Sequence, residues 1–410
     1  MGAMRMIRMN IRMIRITNLV IWTIVAIILY RQVVPLANLV RSFPLNDFSV
    51  YIDGTKAALN GENPYGMKFF DRYNYPPAAT LFFVPLAFLP IELSEWLFTG
   101  VSILSVWLVV NWTLKILGWE SGRAKKWLIF ALCLKMFSVK LTLALGQVNL
   151  IILALIVGSF YFYKVGESRT FSRKVQPFEA ISGILFGLAT VIKLTPAPIL
   201  IYFLLRKKWK VIWWSTATIS VLTVAGGLIF GWDLTKYYFI SVVPGLMGEI
   251  TKETVNASYM NQSVTALMAR FGIFGNINTF VRVIVSGGLF LILMRSLIAV
   301  RQGDSRFDFS LFWRLVMILI LVFPVFVWQH HYVFLMPGWI ILLNTAIKSK
   351  QPINWLVVAV SYGLLNFYFS DANWLSGKNP LIISHFLLTG LVMGIVMTGG
   401  FGLISGRRIL

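Results

Sequence analysis

Asp47 and Asp53 lie close together in "NDFSVYIDG", residues 46–54, of a chain with only 15 Asp and Glu against 37 Lys and Arg. A carboxylate so placed can take a proton from an attacking hydroxyl, or it can merely balance charge in a loop. Farther along come Gln147 and Asn149 in "ALGQVNL", Lys193 in "TVIKLTPAP", Asn261 in "NQS", and His330 and His331 in "VWQHHYVF". Amines and imidazoles are groups that can stabilise a developing anion. Adjacent histidines can also ligate a metal, but the chain has 3 His, and a catalytic zinc site usually needs three protein ligands. "DGTKAALNGENP" lacks the oxygen spacing of a calcium loop, and no phosphate loop, paired CxxC or nucleophile elbow occurs. Neither a metal nor a cofactor is expected.

The elements that must position these groups belong to a membrane protein. Hydrophobic residues make up 58% of the 410 residues and charged ones 13%, whereas a soluble domain is about a quarter charged. Apolar stretches recur along the whole length, as in a polytopic protein. The net charge of +22 comes in short basic clusters between these stretches, which is the positive-inside pattern and excludes a nucleic-acid partner. The single Cys133 excludes a disulfide framework. Arg5, Arg8, Arg12 and Arg15 precede "ITNLVIWTIVAIILY", and no small-residue cleavage site follows, so an uncleaved first membrane helix with a cytoplasmic N-terminus is expected.

The clusters Arg123/Lys125/Lys126, Lys164/Arg169/Arg173/Lys174, Arg206/Lys207/Lys208/Lys210, Arg301/Arg306, Lys348/Lys350 and Arg407/Arg408 are all taken as cytoplasmic. Stretches 211–230, 278–300, 353–369 and 381–400 then fit as spans. "EAISGILFGLATVIKLTPAPILIYFLL" is too long for one pass, and Lys193, Pro196 and Pro198 should break it into two short helices near the outer surface. Such breaks are tolerated where protein or a polar cavity shields the freed backbone. "ALGQVNL" and "VWQHHYVF" should turn at the same face. Pro77, Pro85 and Pro90 argue against a span over 75–93, which is read as a short interfacial segment. The reading is all-α: one domain, residues 1–410, of about twelve transmembrane helices, with both termini inside. Large outer loops are expected at about 35–94 and 231–277.

This topology gathers the scarce polar groups on one side, where polar residues at membrane depth mark a functional site by default. Each has a plainer use. The His pair can cap a helix hairpin, Lys193 can snorkel, and Gln147 and Asn149 can satisfy backbone at a break. Asp53, Lys56, Glu62, Lys68, Asp71 and Arg72 read as loop charges. Asp47 is singled out because it precedes Tyr51 by four residues, sharing a face if the stretch is helical, and opens a loop rich in Asn, Pro and Tyr.

Taken in order, "DFSVY", "GENPY", "YNYPP", "LGQVN", "GLATVIKLTPAP" before "RKKWK", "NQSVTALMARF" and "WQHHYVFLMP" resemble glycosyltransferase family 87 over about residues 45–340. The family is typified by multispanning polyprenyl-phosphate-mannose-dependent α-1,2-mannosyltransferases within the C-type glycosyltransferase superfamily. The resemblance implies that Asp47 is the catalytic acid, not Asp53. It implies a polyprenyl-phosphate-sugar donor, a glycolipid or glycan acceptor, and a site on the extracytoplasmic face of the cell membrane. With an activated donor, one carboxylate can act as general base in an inverting attack, while cations stabilise the departing phosphate. His330, His331 and Lys193 are the candidates for that phosphate, with Arg270 a weaker one. Tyr65, Tyr75, Asn63, Gln147, Asn149 and Asn261 are expected to bind sugar hydroxyls or orient the acid. The rival reading is a transporter or flippase of a lipid-linked saccharide. No inverted repeat relates the two halves of the chain, and the polar groups cluster toward one face, which favours the enzyme.

Overall fold

Proline and glycine positions explain where the helices stop. The computed structural model describes residues 2–42, 44–66, 73–120, 122–168, 177–245, 258–299, 305–367 and 379–399. The assignments of Lys68, Asp71, Arg72, Arg169, Arg173, Lys174, Arg301, Arg407 and Arg408 fall outside them.

Helix α1 (Gly2–Ser42) continues past Pro35, so the first loop starts later than residue 35. Then come α2 (Asn46–Leu59), α3 (Pro77–Thr80) and α4 (Val84–Ala87). Next, α5 (Ile91–Ile116) begins a long apolar helix. Pro77 and Pro85 each sit in a first turn and Pro90 is an N-cap, where a missing N–H costs nothing. The 75–93 stretch is therefore broken into short turns, as expected. Helices α6 (Arg123–Lys135) and α7 (Phe137–Leu145) meet at 68° and are followed by α8 (Asn149–Ser168).

The next apolar stretch divides as its prolines demand, into α9 (Phe178–Ile192) and α10 (Leu200–Leu205), and α11 (Trp209–Phe230) follows. Helix α9 packs between α8 and α11. On α9, Gly183 and Gly187 face α11 so closely that a Cβ would lie 2.5 Å from the Val211 carbonyl and 2.9 Å from that of Ser215. Small residues four apart give two membrane helices this close backbone contact.

The remaining helices are α12 (Trp232–Tyr237), α13 (Val264–Arg270), α14 (Gly275–Ala299) and α15 (Ser305–Met317), which continues as a π-helical turn, Ile318–Val322. A 3₁₀ segment, Gln329–Leu335, leads into α16 (Met336–Ser349), α17 (Pro352–Asn366), α18 (Pro380–Ile383) and α19 (His385–Gly399).

Among the described residues, 6 helices are long and apolar enough to cross a membrane, or 7 with the bent α6–α7 pair, and three shorter apolar helices accompany them. The class is the expected helical membrane bundle, and it is among the described residues alone that full-length spans number fewer than twelve. Trp96, Leu228 and Ile298 are exposed on the outside of the bundle, where lipid chains replace water as solvent. Aromatic side chains fill the interior between α8, α10 and α15, including Phe160, Tyr202 and Phe312. Beside them a buried ion network ties three elements together. Asp308 pairs with Lys164 at 2.6 Å and Arg206 at 2.7 Å, and Glu167 bridges Lys164 and Lys208. Asn149 begins α8 and Lys164 lies near its other end, about 22 Å away at 1.5 Å per residue.

Candidate active site

A glycine builds the floor of the site. Gly146 ends α7 in the left-handed conformation, φ 67°, and turns the chain into α8. The Thr142 carbonyl closes this turn by accepting the Gln147 N–H at 2.9 Å. A Cβ on Gly146 would lie 2.6 Å from Phe48 Cβ, so the start of α2 rests directly on the turn. Leu45 donates its N–H to the Ala144 carbonyl at 3.0 Å, and its own φ of 48° swings the chain into α2. These contacts fix the first turn of α2, which carries Asp47.

Gln147 Nε2 donates to Asp47 Oδ2 at 2.5 Å. Its Oε1 faces the Tyr75 hydroxyl at 3.4 Å, and Tyr75 in turn shares a 3.0 Å hydrogen bond with Tyr51. Asp47 is half-buried and Asp53 is exposed on α2. Burial raises the Asp47 carboxyl above its ordinary value, while the Gln147 hydrogen bond and the nearby Lys193 charge pull it down without cancelling the rise. The result is a carboxylate more basic than a solvated one, which suits a proton acceptor.

Lys193 ends α9 at the proline break, and its ammonium donates to Asn149 Oδ1 at 3.1 Å. It also stands 3.1 Å from Nε2 of His331. The other ring nitrogen, Nδ1, accepts the Trp328 N–H at 3.0 Å. That bond assigns the ring proton of a neutral imidazole to Nε2. Two proton-bearing groups therefore converge on one point. Either Lys193 gives up a proton there, or an acceptor oxygen comes between them. A phosphate oxygen would satisfy both.

His330 lies beside this pair, its ring 4.5 Å from that of His331 and stacked on Trp328. The Thr142 hydroxyl donates to the His330 carbonyl at 3.2 Å, locking the 3₁₀ segment to α7. The structure thus brings together Asp47, Gln147, Asn149, Lys193, His331 and, one bond removed, Tyr75.

Three other candidates are engaged differently. Asn63 is exposed and accepts the Tyr65 N–H at 2.9 Å, holding a turn. Tyr65 is buried, and its hydroxyl donates to the Tyr75 carbonyl at 2.9 Å, so it supports Tyr75 from behind. Asn261 Oδ1 accepts the N–H groups of Ser263 and Val327, both at 3.1 Å. With the Asn261–Trp328 bridge it latches "NQS" onto the segment carrying the histidines. Arg270 is likewise spent on Ser384 and on the carbonyls of Ser258 and Asn261.

Tyr51 and Thr142 carry more than the sequence suggested. Tyr51 had the four-residue spacing as its signal. Thr142 had none, being one hydroxyl in an apolar helix. Among the described residues, no group of three or more His, Cys, Asp or Glu could hold a metal ion.

The profile of Glycosyltransferase family 87 matches residues 73–327 of this chain. Asp47 and the two histidines flank that match. Among curated proteins, the chain is 24% identical over 348 residues to a polyprenol-phosphate-mannose-dependent alpha-(1-2)-phosphatidylinositol mannoside mannosyltransferase of Mycolicibacterium smegmatis, covering 78% of this chain and 73% of that protein. A phosphatidylinositol pentamannoside mannosyltransferase from the same organism, also polyprenol-phosphate-mannose-dependent, is 26% identical over 75% of this chain and 72% of its own length. An alpha-(1->3)-arabinofuranosyltransferase of Corynebacterium glutamicum is 25% identical over 63% of this chain and 57% of its own.

Proposed function

The chain belongs to glycosyltransferase family 87 and is a membrane glycosyltransferase, and from that premise we propose that it moves a mannosyl group from a polyprenyl phosphate to a glycolipid hydroxyl, with Asp47 as general base. The observation that carries the reading is the pairing of a half-buried, Gln147-held carboxylate with two converging donors, Lys193 Nζ and His331 Nε2. A base and an anion site are the two things an inverting displacement on a glycosyl phosphate requires. The enzyme membership sets aside the carrier reading.

In the proposed reaction, the acceptor oxygen attacks the anomeric carbon from the face opposite the phosphate. Asp47 takes the hydroxyl proton as the new C–O bond forms. The old C–O bond breaks, and its electron pair stays on the phosphate. Lys193 and the Nε2–H of His331 receive that charge, and His330 lies within reach of the same group. Tyr75 and Gln147 hold the carboxylate in register, and Asn149 holds the Lys193 amine. The chain works as one domain in the cell membrane, with this site extracytoplasmic, the basic clusters cytoplasmic and both termini inside. The relatives' donor and acceptors support mannose and a phosphatidylinositol mannoside as first choices.

The test is transfer by the purified protein from radiolabelled polyprenyl-phosphate mannose, glucose and arabinose to a phosphatidylinositol mannoside acceptor. Mannose is expected to transfer fastest. Asp47→Asn should lower turnover by about 10²–10⁴-fold, the usual contribution of a positioned general base. Asp53→Asn, on an exposed position, should retain most activity. Near-normal turnover in Asp47→Asn removes the base assignment, and faster transfer of arabinose or glucose removes mannose.

A further inference from the structure

A cleft of about 420 Å³ lies between α14, α15 with its π-helical turn, and α19. Its walls are apolar, with Leu289, Ile318, Leu321 and Leu391 among them. Ile292 and Ile395 also line it and are 57% and 61% exposed, so the mouth opens on the face that meets lipid chains. One wall is smooth, because a Cβ on Gly394 would meet nothing nearer than Met317 Cε at 4.0 Å.

One charge lines this cleft. Arg314 is only 6% exposed, and among the described residues its guanidinium makes no hydrogen bond and no ion pair. A cation buried in hydrocarbon without a counter-ion is costly, and intramembrane arginines almost always meet one. A purely apolar occupant would leave Arg314 uncompensated. A small soluble anion would leave the apolar walls unused. The two features together select an amphiphile with an anionic head and a hydrocarbon tail.

The direction of the cleft says which amphiphile. Arg314 stands six residues, about 9 Å, along α15 from Asp308, which belongs to the buried ion network. From Arg314 the cleft runs toward Tyr332, the neighbour of His331. The head would therefore lie on the side of the basic clusters and the tail would point toward the active site. A prenyl tail entering from the active site would instead bring its apolar end against the guanidinium. We propose that this cleft holds an anionic phospholipid from the leaflet on the basic side, its phosphate paired with Arg314 and one acyl chain laid along α14 and α19. Guanidinium matches phosphate in a forked geometry, which favours Arg over Lys for this role. The site is separate from the one around Asp47 and does not rest on the reaction proposed there.

The test uses the full chain in nanodiscs of phosphatidylcholine, with or without added phosphatidylglycerol. The wild type should melt about 2–4 °C higher with phosphatidylglycerol and retain it in native mass spectra. Arg314→Met should lose both responses and, freed of an unpaired cation, melt no lower than the wild type in phosphatidylcholine alone. Leu391→Trp keeps the charge but fills the cleft, and should also release the lipid. Equal responses of the wild type and Arg314→Met to phosphatidylglycerol would overturn the proposal. Equal destabilisation of Arg314→Met in both discs would do the same, since it would mean a protein-only role. Displacement of the bound lipid by added polyprenyl phosphate would reassign the cleft to the donor's chain.

Discussion

At the scale of single residues, Asp47 is held in a state that favours chemistry over stability. Its folded carboxyl is raised above the ordinary value, chiefly by burial. A carboxyl raised on folding stabilises the fold most below its unfolded pKa, and that contribution is lost as pH rises through the folded value. Once ionised, Asp47 therefore weighs against folding. Asp47→Asn is expected to melt at or above the wild-type temperature while losing turnover, and the melting curve of the purified variant checks this. A variant that melts well below the wild type would make Asp47 a structural acid. If Asp47 is the base, as proposed, the same shift governs the rate profile. The acid limb of kcat/KM should lie above the ordinary carboxylate range, since only the ionised form accepts a proton. Gln147 lowers the Asp47 value through its hydrogen bond, so Gln147→Leu should move the limb to higher pH. An acid limb that does not move in Gln147→Leu would mean that another group sets the profile.

At the scale of elements, the site depends on how α2 is seated on the turn between α7 and α8. Gly146 meets two demands there, a left-handed backbone and the absence of a Cβ beside Phe48. Gly118 shares the positive φ, at 57°, but a Cβ added there would find nothing within 4 Å. Gly118→Ala should cost about 1–2 kcal/mol, the left-handed penalty alone. Gly146→Ala adds a steric clash that only a shift of α2 can relieve, so it should cost more and also lower turnover by moving Asp47. Thermal melting and initial rates on both variants separate the two effects. Equal losses of stability with unchanged rates would show that α2 is positioned by something other than this turn. The "NQS" segment works at the same scale. Asn261 pins the strand-like stretch before the histidines, its Oδ1 accepting the Val327 N–H beside the bridge to Trp328.

At the scale of the whole molecule, α8 separates two polar centres, the candidate site at its Asn149 end and the ion network at its Lys164 end. If the basic end is cytoplasmic, as proposed, the two ends of the bundle differ in access from outside the cell. With Cys133 replaced by Ala, a Glu62→Cys protein should react with an impermeant thiol reagent in intact cells, and Lys207→Cys should react only after lysis. Both replaced positions are exposed, so access and not burial decides the outcome. Labelling of Lys207→Cys in intact cells with none at Glu62→Cys would reverse the orientation and place the site inside.

Much of this protein was legible in its order of residues because membranes impose local rules. A hydrocarbon solvent forces long apolar helices, and clustered prolines break them, though the lone Pro35 is carried inside α1, so α11, the divided α9–α10 stretch and the broken 75–93 segment could be read directly. Scarcity pointed to Asp47, Lys193, Gln147, Asn149 and the histidines for the same reason, since polar groups are costly there. What each polar group does was decided only in three dimensions. Asn149, Lys193 and His331 are neighbours through bonds spanning 44 and 138 positions, and no local pattern distinguishes Asn149, which grips an amine, from Asn261, which grips two backbone N–H groups. Arg314 is the clearest case. In the sequence it is one cation among many, and only the packing of α14, α15 and α19 buries it against an apolar cleft. A hydrogen bond or an uncompensated charge is a property of the space around a side chain, and folding alone creates that space.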